Sequence, residues 1–136
     1  MKKIKIANGQ GFWGDSIDAP VKLIKSGQID FLTLDYLAEV TMSIMQKQKL
    51  KNPKMGYARD FVQLIENNIE DIVKNNIKVI ANAGGVNPKA CSEKIIEICK
   101  DKNIDIKVGI IEGDDIFSNI DSLVGYGAEL KNMDTG

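Results

Sequence analysis

The chain has 136 residues, 19 acidic against 18 basic, a net charge of −1, no histidine, two cysteines and one tryptophan. So even a balance excludes a protein that binds nucleic acid by neutralising phosphates, and the lack of histidine excludes imidazole bases, histidine-dependent triads and His-ligated zinc. At 43% apolar and 27% charged, the composition is that of a globular domain, long enough to bury about 68–70% of its unfolded surface in one core.

Short apolar, β-branched runs alternate with helical patterns at roughly thirty-five-residue intervals, the spacing of repeated strand–helix units. Lys3 to Ala7 reads as the first strand. A weakly amphipathic helix follows, carrying Val21, Ile24 and, less regularly, Ile17, with Gly27 to punctuate it. Asp30 to Asp35 is the second strand, and Ala38 to Lys51 a helix that Asn52-Pro53 breaks; its Lys47, Lys49 and Lys51 read as a solvated face. From Asp60 to Asn76 the residues Phe61, Ile65, Ile69, Ile72 and Val73 recur at three- and four-residue steps, one stripe of a helix facing a sheet. Ile77 to Ala81 is the third strand. Asn87 then caps a helix with Pro88 in its first turn and Cys91, Ile95, Ile98 and Cys99 along one face. Asp105 to Ile111 is the fourth strand, and Ile116 to Val124 a short helix before a polar end. Three of the four strands are apolar enough to predict helices on both faces. The expected fold is one α/β domain over 1–136, with a parallel sheet of about four to five strands and helical crossovers, either a Rossmann-like three-layer sandwich or a partial barrel.

The two cysteines stand roughly 12 Å apart along one helix axis, beyond the ~7 Å that a disulfide tolerates, so reduced thiols are expected. No stretch approaches the ~20 apolar residues of a membrane span, and Met1-Lys2-Lys3-Ile4 has no signal-peptide apolar run behind it. A cytoplasmic protein without nucleic-acid or membrane partners is expected.

Parallel α/β folds bind ligands at the carboxyl ends of their strands. There this sequence places Asn8 to Ser16, Asp35 to Met42, Asn82 to Pro88 and Glu112 to Asp115, each rich in Gly, Asn, Asp or Glu. Gly9-x-Gly11-x-x-Gly14 with Asp35 has the form of a dinucleotide fingerprint. That motif starts its helix within the glycines, which would leave Pro20 inside the helix at a cost of about 3 kcal/mol. Asp15, Ser16 and Asp18 before Pro20 predict a later helix start instead, and Phe12-Trp13 is bulky where a pyrophosphate needs bare backbone. Gly84 and Gly85, running into the helix at Asn87, have the form of an anion cradle, and equally of a tight turn with Asn87 as its cap. Asp15, Asp35 and Glu39 are the carboxylate candidates for acid/base catalysis. Trp13, Gly14, Ser16, Tyr36, Asn82, Gly84, Gly85 and Asn87 are the candidates for substrate contacts. Glu112, Asp114 and Asp115 offer oxygen ligands of the kind Mg2+ or Mn2+ prefers, or simply cap the helix that follows. Cys91, on an apolar stripe, reads as a core residue.

Five segments in order carry a resemblance. They are Gly11-Phe12-Trp13-Gly14-Asp15-Ser16, the run from Asp35-Tyr36-Leu37-Ala38-Glu39 to Met45, Gly56-Tyr57-Ala58-x-Asp60-Phe61, the run from Asn82-Ala83-Gly84-Gly85 to Cys91, and Glu112-Gly113-Asp114-Asp115. Together they resemble the acyclic terpene utilisation AtuA family over nearly the whole chain. The resemblance implies bacterial catabolism of acyclic terpenoid or branched carboxylic acids, handled as coenzyme A thioesters, so that coenzyme A enters as part of the substrate. It also implies that 136 residues are the N-terminal part of a longer protein, with a homo-oligomer or a partner chain supplying the rest. Hydration or dehydration beside a thioester would suit a site of carboxylates and backbone amides. The alternatives are a non-catalytic α/β binding or assembly subunit and an inactive fragment.

Overall fold

A computed structural model describes residues 3–132 and 134–136, so Met1 and Lys2 of the basic start lie outside the described residues. Three strands, β1 (Ile6–Gln10), β2 (Phe31–Leu34) and β3 (Lys78–Ala81), form a parallel sheet in the order β1-β2-β3. Helix α1 (Asp18–Ser26) joins β1 to β2. Helices α2 (Glu39–Lys51) and α3 (Arg59–Lys74) join β2 to β3, and α4 (Pro88–Asp101) follows β3. A single 3₁₀ turn, Phe117–Asn119, and α5 (Ile120–Gly125) come last.

Each helix has a local cause. Pro20 sits in the first turn of α1, the Ser16 hydroxyl accepts from the Asp18 amide at 3.3 Å, and Gly27 ends the helix at φ 62°. The start at Asp18 is the late one that the sequence predicts. Phe61, Ile65, Ile69 and Ile72 of α3 are buried as their spacing requires, while Val73 is exposed. On α4 the predicted stripe of Cys91, Ile95, Ile98 and Cys99 is buried throughout. Asn87 caps it by accepting from the Ala90 amide at 3.4 Å. In α2 Met45 is the buried residue. The Thr41 hydroxyl closes its first turn, accepting from the Ala38 amide and donating to the Ala38 carbonyl. Lys49 departs from a solvated face, since its ammonium donates to the Val86 carbonyl at 2.7 Å.

The sheet differs from expectation in three ways. First, β1 lies three residues later than Lys3–Ala7 and ends in a bulge between Asn8 and Gln10, which turns the Gln10 side chain into the core. Gly9 permits this, because a Cβ there would lie 3.0 Å from Pro20 Cβ and 3.1 Å from methyl carbons of Leu32 and Leu34. Second, 105–111 makes no ladder among the described residues. Ile104, Ile106 and Val108 pack partly buried against the core while Asp105, Lys107 and Gly109 face solvent. A period of two decides which side chains turn inward, but it specifies no hydrogen-bonding partner. Among the described residues the sheet therefore has three strands, not four or five.

Third, helices cover one face. Strands in sequential order joined by crossovers of one hand place every crossover on the same side. Leu32 and Leu34 are buried there among Ile24, Phe61, Ile65 and Ile95. On the other face Ile6 is 68% exposed and Ile80 56%. The described residues thus form two layers rather than a three-layer sandwich. No helix among them is long and apolar enough to cross a membrane.

Candidate functional site

The carboxyl ends of β2 and β3 are tied by one side chain. Asn82, just past β3, accepts from the Tyr36 amide at 2.7 Å and donates from Nδ2 to Asp35 Oδ1 at 2.7 Å. The same Asp35 oxygen accepts from the Leu37 amide at 3.2 Å. The Asn82 amide, followed by the Leu37 and Tyr36 backbone bonds, holds the Asp35 carboxyl below its ordinary value. Asp35 is consequently a carboxylate at neutral pH, an acceptor of hydrogen bonds.

Beside this clasp, on the uncovered face of the sheet, lies a hollow of about 370 Å³ lined by Asn8, Thr33, Leu34, Asp35, Ile80, Ala81 and Asn82. The Thr33 hydroxyl donates to Asn8 Oδ1 at 3.0 Å across β1 and β2. Amide, hydroxyl and carboxylate groups thus sit along one wall, with Ile80 opposite in register. Asn8 and Thr33 are site residues that sequence reasoning missed. Their signal was available, because polar residues at matching register positions of neighbouring strands share a face.

The other predicted residues fall in distinct places. Asp15 organises the first loop, accepting from the Gly11 amide at 3.1 Å and the Ser16 amide at 2.7 Å. Gly14 has φ 99°, and Ser16 opens α1. Trp13 leans the opposite way, its indole donating to Asp60 Oδ1 at 3.0 Å. There it borders a second, larger groove of about 710 Å³ with Tyr57, Arg59, Lys94 and Ile98. Tyr36 is 1% exposed, its ring edge-on to Phe61 at 5.7 Å. Burial, then the nearby Asp60 carboxylate, pushes its phenol far up from its ordinary value. Glu39 is exposed at the start of α2.

The Gly84-Gly85 turn is knit into the protein. The Gly85 amide donates to Asn82 O at 3.1 Å, Val86 to Gly56 O at 3.0 Å and Asn87 to Gly84 O at 2.9 Å. Asn87 Nδ2 reaches the Pro53 and Met55 carbonyls, each at 2.8 Å. Of the two forms open to this loop, the observed one is a tight turn with Asn87 as cap, the Gly85, Val86 and Asn87 amides engaged internally. Glu112, Asp114 and Asp115 lie exposed before the 3₁₀ turn, and Asp115 accepts from the Phe117 amide at 3.0 Å. Among the described residues no three acidic or thiol groups converge to hold a metal ion. The predicted trio does not fit a divalent cation, and no chemistry is routed through one. Cys91 and Cys99 are free and buried, and burial pushes the Cys91 thiol up to about 12.

A three-stranded parallel sheet joined by helices, with a polar hollow beside the carboxyl ends of its strands, makes this an α/β protein. The sequence profile described as "Acyclic terpene utilisation family protein AtuA" matches residues 4–136, and the chain belongs to that family. Comparison with curated proteins and with solved structures gives no match.

Proposed function

We propose that this chain binds an acyclic terpenoid or branched carboxylic acid, presented as its coenzyme A thioester, at the hollow beside Asp35, within the breakdown of such compounds. The observation that carries this reading is the Asp35–Asn82 clasp, which holds an ionised carboxylate at the carboxyl end of the sheet next to the Asn8–Thr33 pair. In a hydration or dehydration beside the thioester carbonyl, Asp35 takes the part of base. In dehydration it accepts the proton that leaves carbon while Glu39 donates to the departing hydroxyl, and in hydration Glu39 takes water's proton and Asp35 returns its own to carbon. Exposed Glu39 is the candidate acid, and Ile80 offers an apolar wall to a branched chain. The test is calorimetric titration with the thioester of a branched acid against wild type and Asp35→Asn. Saturable binding that Asp35→Asn weakens at least tenfold supports the reading. Equal heats for both proteins, or none for either, reject it.

A second reading is a binding or assembly subunit without chemistry of its own, and the uncovered sheet face favours it. It predicts that ligand binds without turnover, whereas an enzyme interconverts hydroxyacyl and enoyl thioesters, read from the enoyl absorbance.

A further inference from the structure

The bulge at the end of β1 turns an amide side chain into the core, where each of its polar atoms needs a partner. Gln10 is 2% exposed and lies in register with Leu34; Tyr36, 1% exposed, follows two residues on and packs toward α3. Gln10 Nε2 donates to the Phe12 carbonyl at 3.0 Å. That bond fixes which way the amide faces, because turning it over would set two carbonyl oxygens against each other. Its own oxygen is left over. Gln10 Oε1 and the Tyr36 hydroxyl are both sealed from solvent, and neither has a hydrogen-bond partner among the described residues. They are neighbours all the same. Against the upward push of burial and of the Asp60 carboxylate, the Gln10 amide draws the phenol's pKa down, so these groups share one enclosure.

We propose that one internal water molecule bridges Tyr36 Oη and Gln10 Oε1, and so joins the ends of β1 and β2 to the loop that follows β1. Roughly 90% or more of buried polar groups are paired, with protein or with ordered water. The hydrogen-bonding needs of the two oxygens decide the occupant. The phenol's hydrogen needs an acceptor, and Oε1 needs a donor. A metal or ammonium ion cannot take the phenol's hydrogen, and a carboxylate or phosphate oxygen has none to give to Oε1. A hydroxyl group does both, and water is the smallest molecule that carries one. Internal waters make about three hydrogen bonds, and Asp60, whose Oδ1 already holds the Trp13 indole at 3.0 Å, offers an acceptor for the second hydrogen. The loop from Gly11 to Ser16 is then held from beneath through Phe12 and Trp13, by polar atoms that meet at this water. The hollow beside Asp35 lies on the other face of the sheet, so the water does not depend on what that hollow binds.

The experiment is water-oxygen relaxation dispersion, which counts waters held for longer than the protein takes to tumble. It is run on the wild type, Tyr36→Phe, Gln10→Met and the double variant, with circular dichroism to check that each folds. Tyr36→Phe keeps the ring against Phe61 and removes only the hydroxyl. The wild type is expected to hold at least one long-lived water, each single variant to hold about one fewer, and the double variant to lose no more than either. A crystal structure of the wild type should place that water about 2.5–3.0 Å from both oxygens. A wild type without a long-lived water, single variants that keep it in full, losses that add in the double variant, or a phenol that donates directly to Gln10 Oε1 overturns the proposal. Should a variant fail to fold, the wild-type dispersion and crystal structure still decide.

Discussion

Replacing Gly85 by alanine puts the turn after β3 to its sharpest test. Gly85 has φ 56°, in the left-handed region, and a Cβ there would meet the Met45 sulfur and lie 2.8 Å from the Gly56 carbonyl. The left-handed conformation costs a residue with a Cβ about 1–2 kcal/mol. Forcing a methyl into a packed interior costs about 1–3 kcal/mol more, and Met45 has no exposed surface through which to yield. Gly85→Ala should therefore lose about 2–5 kcal/mol, a large part of the ~7–20 kcal/mol expected of a domain this size. At roughly 4 °C per kcal/mol the melting temperature falls by about 8–20 °C. Urea denaturation measures this as a lower midpoint at unchanged slope. Met45→Ala separates the two contributions: in that background the added methyl has room, and the cost of Gly85→Ala should shrink to about the backbone part. A loss below about 0.5 kcal/mol would refute the reasoning, since the turn would then have slack and its glycines would need another explanation.

Three further outcomes follow from the site. Asn82→Ala removes the first cause of the low Asp35 pKa, so the Asp35 carboxyl, followed by NMR, should titrate closer to 3.8. In the wild type the clasp's contribution is present above that pH and lost as the pH falls through the lowered folded value. Cys91 and Cys99 should resist a thiol reagent in the folded protein at pH 8 and react at once in denaturant. The Cys91 shift runs the other way, so its contribution is intact below about 9 and fades as the pH rises toward about 12, measurable by denaturation in that window. Trp13 is the one tryptophan and its indole is bonded to Asp60. Asp60→Leu should therefore shift its emission and speed quenching by iodide, and an unchanged spectrum would deny that the first loop is pinned to α3.

How legible each feature was depends on whether its cause is local. The stripes of α3 and α4 and the Asn87-Pro88 start are written in spacing and capping, and they appear where spacing and capping put them. The end of β1 is not local: Asn8, Gly9 and Gln10 read as loop, yet pair with β2 because Gly9 admits Pro20 and the bulge turns Gln10 inward. The segment 105–111 has a strand's alternation, but a ladder also needs a partner edge, and no run of side chains encodes that. Among the residues of the candidate site, Asp35 and Asn82 were legible because strand ends converge in a parallel sheet, whereas Tyr36, expected to contact substrate, turns its ring into the core against Phe61. Asn8 and Thr33 were hidden because their proximity depends on register. Glu112, Asp114 and Asp115 are close in sequence, and in an extended exposed segment that brings no three carboxylates onto one ion.

The uncovered face and the position of the hollow have a common origin. Crossovers of one hand over strands in sequential order send every crossover helix to one side, and the alternation of β2 and β3 then assigns Asp35 and Asn82 to the side left bare. The polar atoms that clasp the strand ends consequently face open space rather than a helix layer. A site built on that side has a floor and one wall from this chain, and water reaches it until something apolar closes over Ile80. Carboxylate chemistry gains strength where water is excluded. Under the proposed function Asp35 works at full effect only when the face beside it is covered, and the cover of the sheet and the competence of the proposed site are then one structural question.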